Sequence, residues 1–186
     1  LSDITAPVIN GIASFDDVEV YEGTLLTQTY TYSARIPNQK FILPNIGVDT
    51  DLISVKVRTN QDSTASLTYK LQDSLFDINS TSAVYFIQEV EDERYQIFFG
   101  DGVFGKKLEN FNYITINYII TNGESANGID NFTFTGRIVY TRNAQEYTVT
   151  SGISLMSTEL PSSGGEVIES VESVKKYAPK IYASQN

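Results

Sequence analysis

The sequence predicts a mainly β protein of antiparallel, sandwich-like sheets in one or two small subdomains. A C-terminal helical segment makes it α+β overall. Three observations predict this. Apolar and aromatic residues alternate with polar ones over several short stretches, the period of a half-buried strand. Gly, Pro, Asn and Asp signals separate those stretches. After Pro161 the apolar period changes to helical spacing. The expected division is an extended lead-in over 1–15, a β-rich domain over 16–160 with 48–120 as a candidate subdomain, and a helical segment over 161–186.

In chain order, residues 1–15 carry Pro7, Gly11 and scattered apolar side chains, which gives the lead-in. Residues 16–33 are strand-rich, with Glu22-Gly23-Thr24 as a turn or bulge, since Gly accepts backbone angles that other residues avoid. Thr27, Thr29 and Thr31 then alternate with Gln28, Tyr30 and Tyr32. Pro37-Asn38 marks a turn, Phe41-Ile42-Leu43 a short strand, and 47–51 a loop. Ile53, Val55 and Val57 define one buried face, and Leu67, Tyr69 and Leu71 another. Residues 60–63 are a polar turn, and 74–82 a connection with room for one helical turn. Residues 83–90 and 94–99 form a hairpin around the acidic turn Glu91-Asp92-Glu93. Ile114, Ile116, Tyr118 and Ile120 alternate with Thr115, Asn117 and Ile119. Turns at Asn122-Gly123 and Asn127-Gly128 follow. Strand material at Phe132 and Phe134, at 137–141, at 146–150 and at 153–155 completes the β region.

Ser163-Gly164-Gly165-Glu166 matches a capping box, in which the Ser oxygen accepts the Glu166 N–H and Glu166 reaches back. Val167, Val171, Val174 and Ala178 follow at helical spacing, with Ile168 beside them. Glu166, Glu169 and Glu172 come early and Lys175 and Lys176 late, the order that suits a helix dipole. Pro179 interrupts the helix. Val167, Val171, Val174, Tyr177, Ile181 and Tyr182 are the candidate subunit interface. The chain begins Leu1-Ser2-Asp3 with no Met at position 1, which leads us to expect a piece of a longer protein or a processed product.

A net charge of −10 argues against a nucleic-acid partner, whose phosphates require Lys and Arg clusters; Lys106-Lys107 and Lys175-Lys176 are isolated pairs. Cysteine is absent, so there is neither a disulfide framework nor a thiol nucleophile, which fits assembly in a reducing cytoplasm. No apolar run approaches the ~20 residues of a membrane span, so no membrane insertion is expected of this piece.

The landmark of the chain is Phe98-Phe99-Gly100-Asp101-Gly102-Val103-Phe104-Gly105-Lys106-Lys107-Leu108. Residues 100–105 fit G-x-G-x-x-G, but a dinucleotide site needs a helix to start at the third glycine, and here a strand follows. The residues read instead as a structural turn built on Gly100, Asp101, Gly102 and Gly105, with Asp101 hydrogen-bonding backbone amides. Glu89, Glu91, Asp92 and Glu93 lack the ligand spacing of a calcium loop and read as a solvated hairpin turn. With no His the usual general base is missing, and no metal or cofactor site emerges. A carboxylate-pair glycosidase stays open, since its acids can lie far apart in sequence. Asp16, Asp17, Asp49 and Asp51 are its candidate members, and loop solvation accounts for them more simply. Asn79-Ser80-Thr81 and Asn131-Phe132-Thr133 are glycosylation triplets of a kind expected by chance. Tyr-rich strand faces keep a carbohydrate-binding or adhesin module as the alternative, and the absence of Trp counts against it.

Three segments resemble the baseplate J-like family, the wedge proteins of contractile phage tails and related injection machines. The first is Tyr21-Glu22-Gly23-Thr24, similar to that family's strand-Gly-Thr opening. The second is residues 98–105 followed by Ile114-Thr115-Ile116-Asn117-Tyr118, similar to its FGDG-x-x-G turn and Tyr-ended strand. The third runs from Gly164-Gly165-Glu166 through Glu169-Ser170 and Ala178-Pro179 to Ser184-Gln185-Asn186. Their order covers about residue 20 to 186. Asn127-Gly128 departs from the pattern, standing where the family often has Gly-Asn. The resemblance implies a virion structural protein rather than an enzyme, a late protein assembled in the host cytoplasm into the tail baseplate. It implies homodimers, joining to neighbouring wedge proteins in a ring around the hub, and rearrangement on contraction.

Overall fold

A computed structural model describes residues 4–37, 39–73, 77–156 and 160–166. The chain divides into two compact units, Leu1–Thr121 and Asn122–Asn186. Among the described residues the protein is mainly β, and its only helical pieces are short 3₁₀ turns at Glu91–Glu93 and Gly123–Ala126.

The first unit holds seven strands: β1 (Thr24–Thr31), β2 (Phe41–Ile42), β3 (Val48–Arg58), β4 (Ser66–Leu71), β5 (Val84–Val90), β6 (Arg94–Phe99) and β7 (Tyr113–Ile120). They form one sheet in the order β1-β7-β3-β4-β5-β6-β2. The alternation in β7 places Ile114, Ile116 and Tyr118 in the core, and in β3 it places Ile53, Val55 and Val57 there. In β1 the threonines face out while Leu26, Gln28 and Tyr30 turn inward. The β5–β6 hairpin forms as expected around its acidic turn, with Tyr85 opposite Phe99 and Val90 opposite Arg94.

Two features of the sheet differ from expectation. All pairings are antiparallel except β4–β5, which is parallel, so one mixed sheet stands in place of purely antiparallel ones. Parallel neighbours need a long crossover, which residues 72–83 supply, and a polar connection in sequence does not reveal which way the chain returns. Residues 48–51, read as loop, belong to β3. Their polar composition is accommodated by an irregularity in the β3–β7 register between Asp49 and Ser54.

The sheet is rolled, because its two ends meet. Tyr30 on β1 packs edge-on against Phe41 on β2 at 5.4 Å, and its hydroxyl donates to the Ile42 carbonyl. Phe41 continues the chain of edge-on contacts to Phe99 and from there to Tyr69. Leu43, Val55, Ile97, Ile114 and Ile116 are fully buried in this core, each contributing about 1.5–3 kcal/mol of apolar burial. Tyr85 is buried with its hydroxyl donating to the Ile53 carbonyl at 3.0 Å, and burial pushes its pKa up to about 12. Asn112 is buried and satisfied: Oδ1 accepts the Glu109 amide, and Nδ2 donates to the Arg58 and Thr59 carbonyls.

The second unit contains a two-stranded hairpin, β8 (Val139–Arg142) and β9 (Gln145–Thr148). It turns on Asn143 and Ala144, at φ of 53° and 60°. Arg137 bridges to Glu146 at 2.8 Å and Tyr140 stacks on Tyr147 at 5.3 Å. Phe132 and Phe134 are not in a strand, and the Phe134 ring folds back over Gly136. Residues 153–155 are not a strand either.

The helical segment over 161–186 is corrected where it is described. Residues 161–166 are irregular, and Gly164 has φ +90°, which a first helical turn does not allow. A capping box that opens a helix at Ser163 is therefore not formed, and the Gly165 amide donates to Asn127 Oδ1. The stripe of Val167, Val171, Val174, Tyr177, Ile181 and Tyr182 lies outside the described residues.

Candidate functional site

The glycine landmark leaves β6 at Phe99 and closes on itself within residues 100–105. Gly100 bridges to Lys107, and a Cβ on Gly100 would stand 2.2 Å from the Gly105 carbonyl carbon. Gly105 is also tightly placed, since a Cβ there would meet Val84 Cγ2 at 2.8 Å, and its φ is +88°. Gly102 differs: it has φ +95° but no tight neighbour, with Lys107 Cβ at ordinary contact distance, 3.6 Å. Gly100 permits a close approach, Gly102 a left-handed turn, and Gly105 both.

The loop's amides decide what it can bind. Gly102 N–H donates to the Gly105 carbonyl, Gly105 N–H to Asn79, and Lys106 N–H to Ser82. The amides of Val103 and Phe104 both donate to Asp101 Oδ1 at 2.8 Å. A phosphate cradle needs free amides, and every amide from 102 to 106 is already engaged within the protein. Those two backbone bonds hold the Asp101 carboxyl below its ordinary pKa, with Lys107 adding a smaller contribution. Gly100, Asp101, Gly102 and Gly105 thus come together as one joint that ties the end of β6 to the 79–82 turn. In that turn Asn79 Oδ1 accepts both the amide and the hydroxyl of Thr81, so the first glycosylation triplet is a folded Asn-capped turn.

The acidic candidates do not converge. Asp92 pairs with Arg94 at 2.9 Å on the exposed hairpin tip. Asp49 Oδ1 accepts the Asp51 amide within the β3 irregularity, while Asp16 and Asp17 sit on the exposed lead-in. Among the described residues no three His, Cys, Asp or Glu side chains gather to hold a metal ion, and no helix is long and apolar enough to cross a membrane.

A second joint, in the second unit, was missed in the sequence. Asn127 Nδ2 donates to the Gly165 carbonyl at 2.8 Å, and its Oδ1 accepts the Gly165 amide at 2.9 Å. The side chain thus imitates one rung of a β ladder. Ser162 completes it: its Oγ donates to the Ala126 carbonyl and accepts the Ile129 amide, its carbonyl accepts the Gly128 amide, and its own amide donates to the Ile129 carbonyl. A Cβ on Gly165 would stand 2.2 Å from the Gly123 oxygen, so only Gly fits. The only sequence trace was Asn127-Gly128, read as a turn, and Gly164-Gly165, read as a helix start.

Exposed apolar residues form the remaining candidate surface. Val103 and Phe104 project from the glycine loop, and Phe111 is 66% exposed at φ +72°, a conformation costly for a bulky residue. Ile4, Val8, Ile9, Ile12, Val18 and Val20 are exposed along residues 4–20, ahead of β1.

Fold and joints together define a β-rich module whose most constrained residues hold distant chain segments in contact. Compared with known proteins, the chain matches no family model and no curated protein.

Proposed function

We propose that the chain is a structural, non-enzymatic subunit of a phage tail baseplate wedge. In this reading it associates with itself and joins neighbouring wedge proteins in a ring around the central hub of the virion tail, after assembly in the host cytoplasm. It follows the pattern of the large wedge subunit of T-even-like phages within the baseplate J-like family. The observation that carries the reading is the ordered set of family-like segments, at 21–24, at 98–105 with 114–118, and from 164 onward. Asn127-Gly128 and Gly164-Gly165, far apart in sequence, form one joint through Asn127 and Gly165. Gly165 of the third segment thus has a structural task, at a place where a Cβ would not fit.

Light scattering over a concentration range, with the chain alone and mixed with neighbouring wedge proteins, tests the proposal. Concentration-dependent self-association and co-migration with a wedge neighbour are expected. A strict monomer that binds no neighbour would sink it. A carbohydrate-binding module is the second reading, favoured by the exposed stacked pair Tyr140 and Tyr147. Saturable glycan binding that disappears in Tyr140→Ala or Tyr147→Ala would decide for that alternative.

A further inference from the structure

We propose that the outer edge of β1 is the self-association surface, on which β1 of a second copy pairs antiparallel about a two-fold axis. This presupposes the assembly reading above and assigns it a surface. β1 stands at one end of the sheet order and pairs with β7 alone. Among the described residues its other edge faces no strand. The far end of that edge is already occupied, since Gln39 Nε2 donates to the Thr31 carbonyl and Gln39 Oε1 accepts the Ser33 amide. Among the described residues, the stretch left open is 24–29. The opposite end of the sheet is β2, only two residues long.

Open edges of this length are ordinarily blocked by a charge, a proline or a bulge. β1 reads Thr-Leu-Leu-Thr-Gln-Thr-Tyr-Thr and has no charge and no proline, and its register with β7 is unbroken. The other strands of more than two residues each carry charge, for example Lys70 in β4, Glu89 in β5, Arg94 in β6, Arg142 in β8 and Glu146 in β9. β7 is the exception, and it is paired on both sides.

Charge then selects the occupant. Copies of a chain with net charge −10 repel one another over most of their surface. An uncharged edge is where two copies can approach without placing like charges opposite each other. An open strand edge is also self-complementary, because an antiparallel pair of identical strands satisfies both sets of backbone groups by symmetry. Pairing centred on Thr27 sets Leu25 of one copy opposite Thr29 of the other. Leu25 is 50% exposed and Thr29 lies on the same outward face.

The test uses two double variants, Leu25→Lys with Thr29→Lys and Leu25→Glu with Thr29→Glu, studied by sedimentation alone and as an equimolar mixture. Wild type is expected to associate, each variant alone to associate at least ten-fold more weakly, and the mixture to recover. Hydrogen exchange on wild type is the second measurement: β1 amides should slow as protein concentration rises. Association that persists unchanged in both variants, or that leaves β1 exchange untouched, overturns the edge and leaves self-association standing. A wild type monomeric at all concentrations removes both.

Discussion

The two joints of this molecule do the same task with different chemistry. In the first unit, residues 100–106 are tied to the 79–82 turn by backbone bonds alone, from Gly105 to Asn79 and from Lys106 to Ser82. In the second, the 160–166 segment is tied to 123–129 by backbone bonds and by the side chains of Asn127 and Ser162. Both exclude a Cβ at the closest approach, at Gly100 and at Gly165. The first joint should therefore fail when atoms are added, and the second when atoms are added or removed. The difference follows from position. The first joint leads out of a strand anchored in a core, so its backbone is already placed. The second belongs to a unit whose hairpin strands are exposed at every residue, so side chains must supply part of the order.

The largest expected effect is at Gly100. Gly100→Ala puts a methyl into the Gly105 backbone, which cannot rotate away as a side chain would. A loss of about 3 kcal/mol is expected, the upper part of the range for overpacked sites. Urea unfolding of the chain measures it, and a loss below ~1 kcal/mol would show that the two glycines are not in contact. Gly102→Val is the control within the same loop. A Cβ there meets only the Lys107 side chain, at ordinary contact distance, so the positive φ is the main opposition and about 1–2 kcal/mol is expected. Equal losses at the two positions would erase the distinction between close approach and backbone conformation.

Much of the first unit was legible because period-2 burial is a local signal. Val55, Ile114 and Ile116 could be placed in the core from spacing alone, and the 94–99 half of the hairpin could be given its bounds. What was hidden depends on non-local choices. The parallel β4–β5 pairing is set by where residues 72–83 return, and nothing in their composition encodes a direction. The helix start at Ser163 was a false local signal. Its capping pattern is real, but Gly164 at φ +90° breaks the first turn and Gly165 is held by Asn127, and a partner 38 residues away leaves no mark near Gly165. The glycine turn was legible as a turn, and its link to Asn79 was not, for the same reason.

A smaller effect separates the joints by deletion. Asn127→Ala removes two hydrogen bonds from an exposed site where water can replace them, so about 1 kcal/mol is expected. The change should be confined to the second unit. Faster hydrogen exchange at Gly165, with β7 amides unchanged, is the expected result. Slowing or no change at Gly165 would mean that Ser162 holds the joint alone.

The smallest effect is a pH dependence that only the first joint should have. Asp101 is fully exposed, and the amides of Phe104 and Val103 hold its carboxyl below the ordinary value of 3.8. A depressed folded pKa means the ionised form favours the folded loop. That contribution is complete above pH 3.8 and is lost as pH falls through the lower folded value. Acid should therefore loosen residues 101–105 before it affects the core. In Asp101→Asn the carbonyl still accepts from both amides but no longer titrates, so the loop should close at neutral pH and respond little to acid. Amide chemical shifts of Val103 and Phe104, followed from pH 6 down through the ordinary carboxylate range of about 4, should move in the wild type and stay flat in the variant. The bonds at Asn127, Ser162 and Gly165 involve no titrating group, so their amide shifts should hold across the same range. Movement there, or none at Val103 and Phe104, would reverse the assignment of which joint depends on a charge.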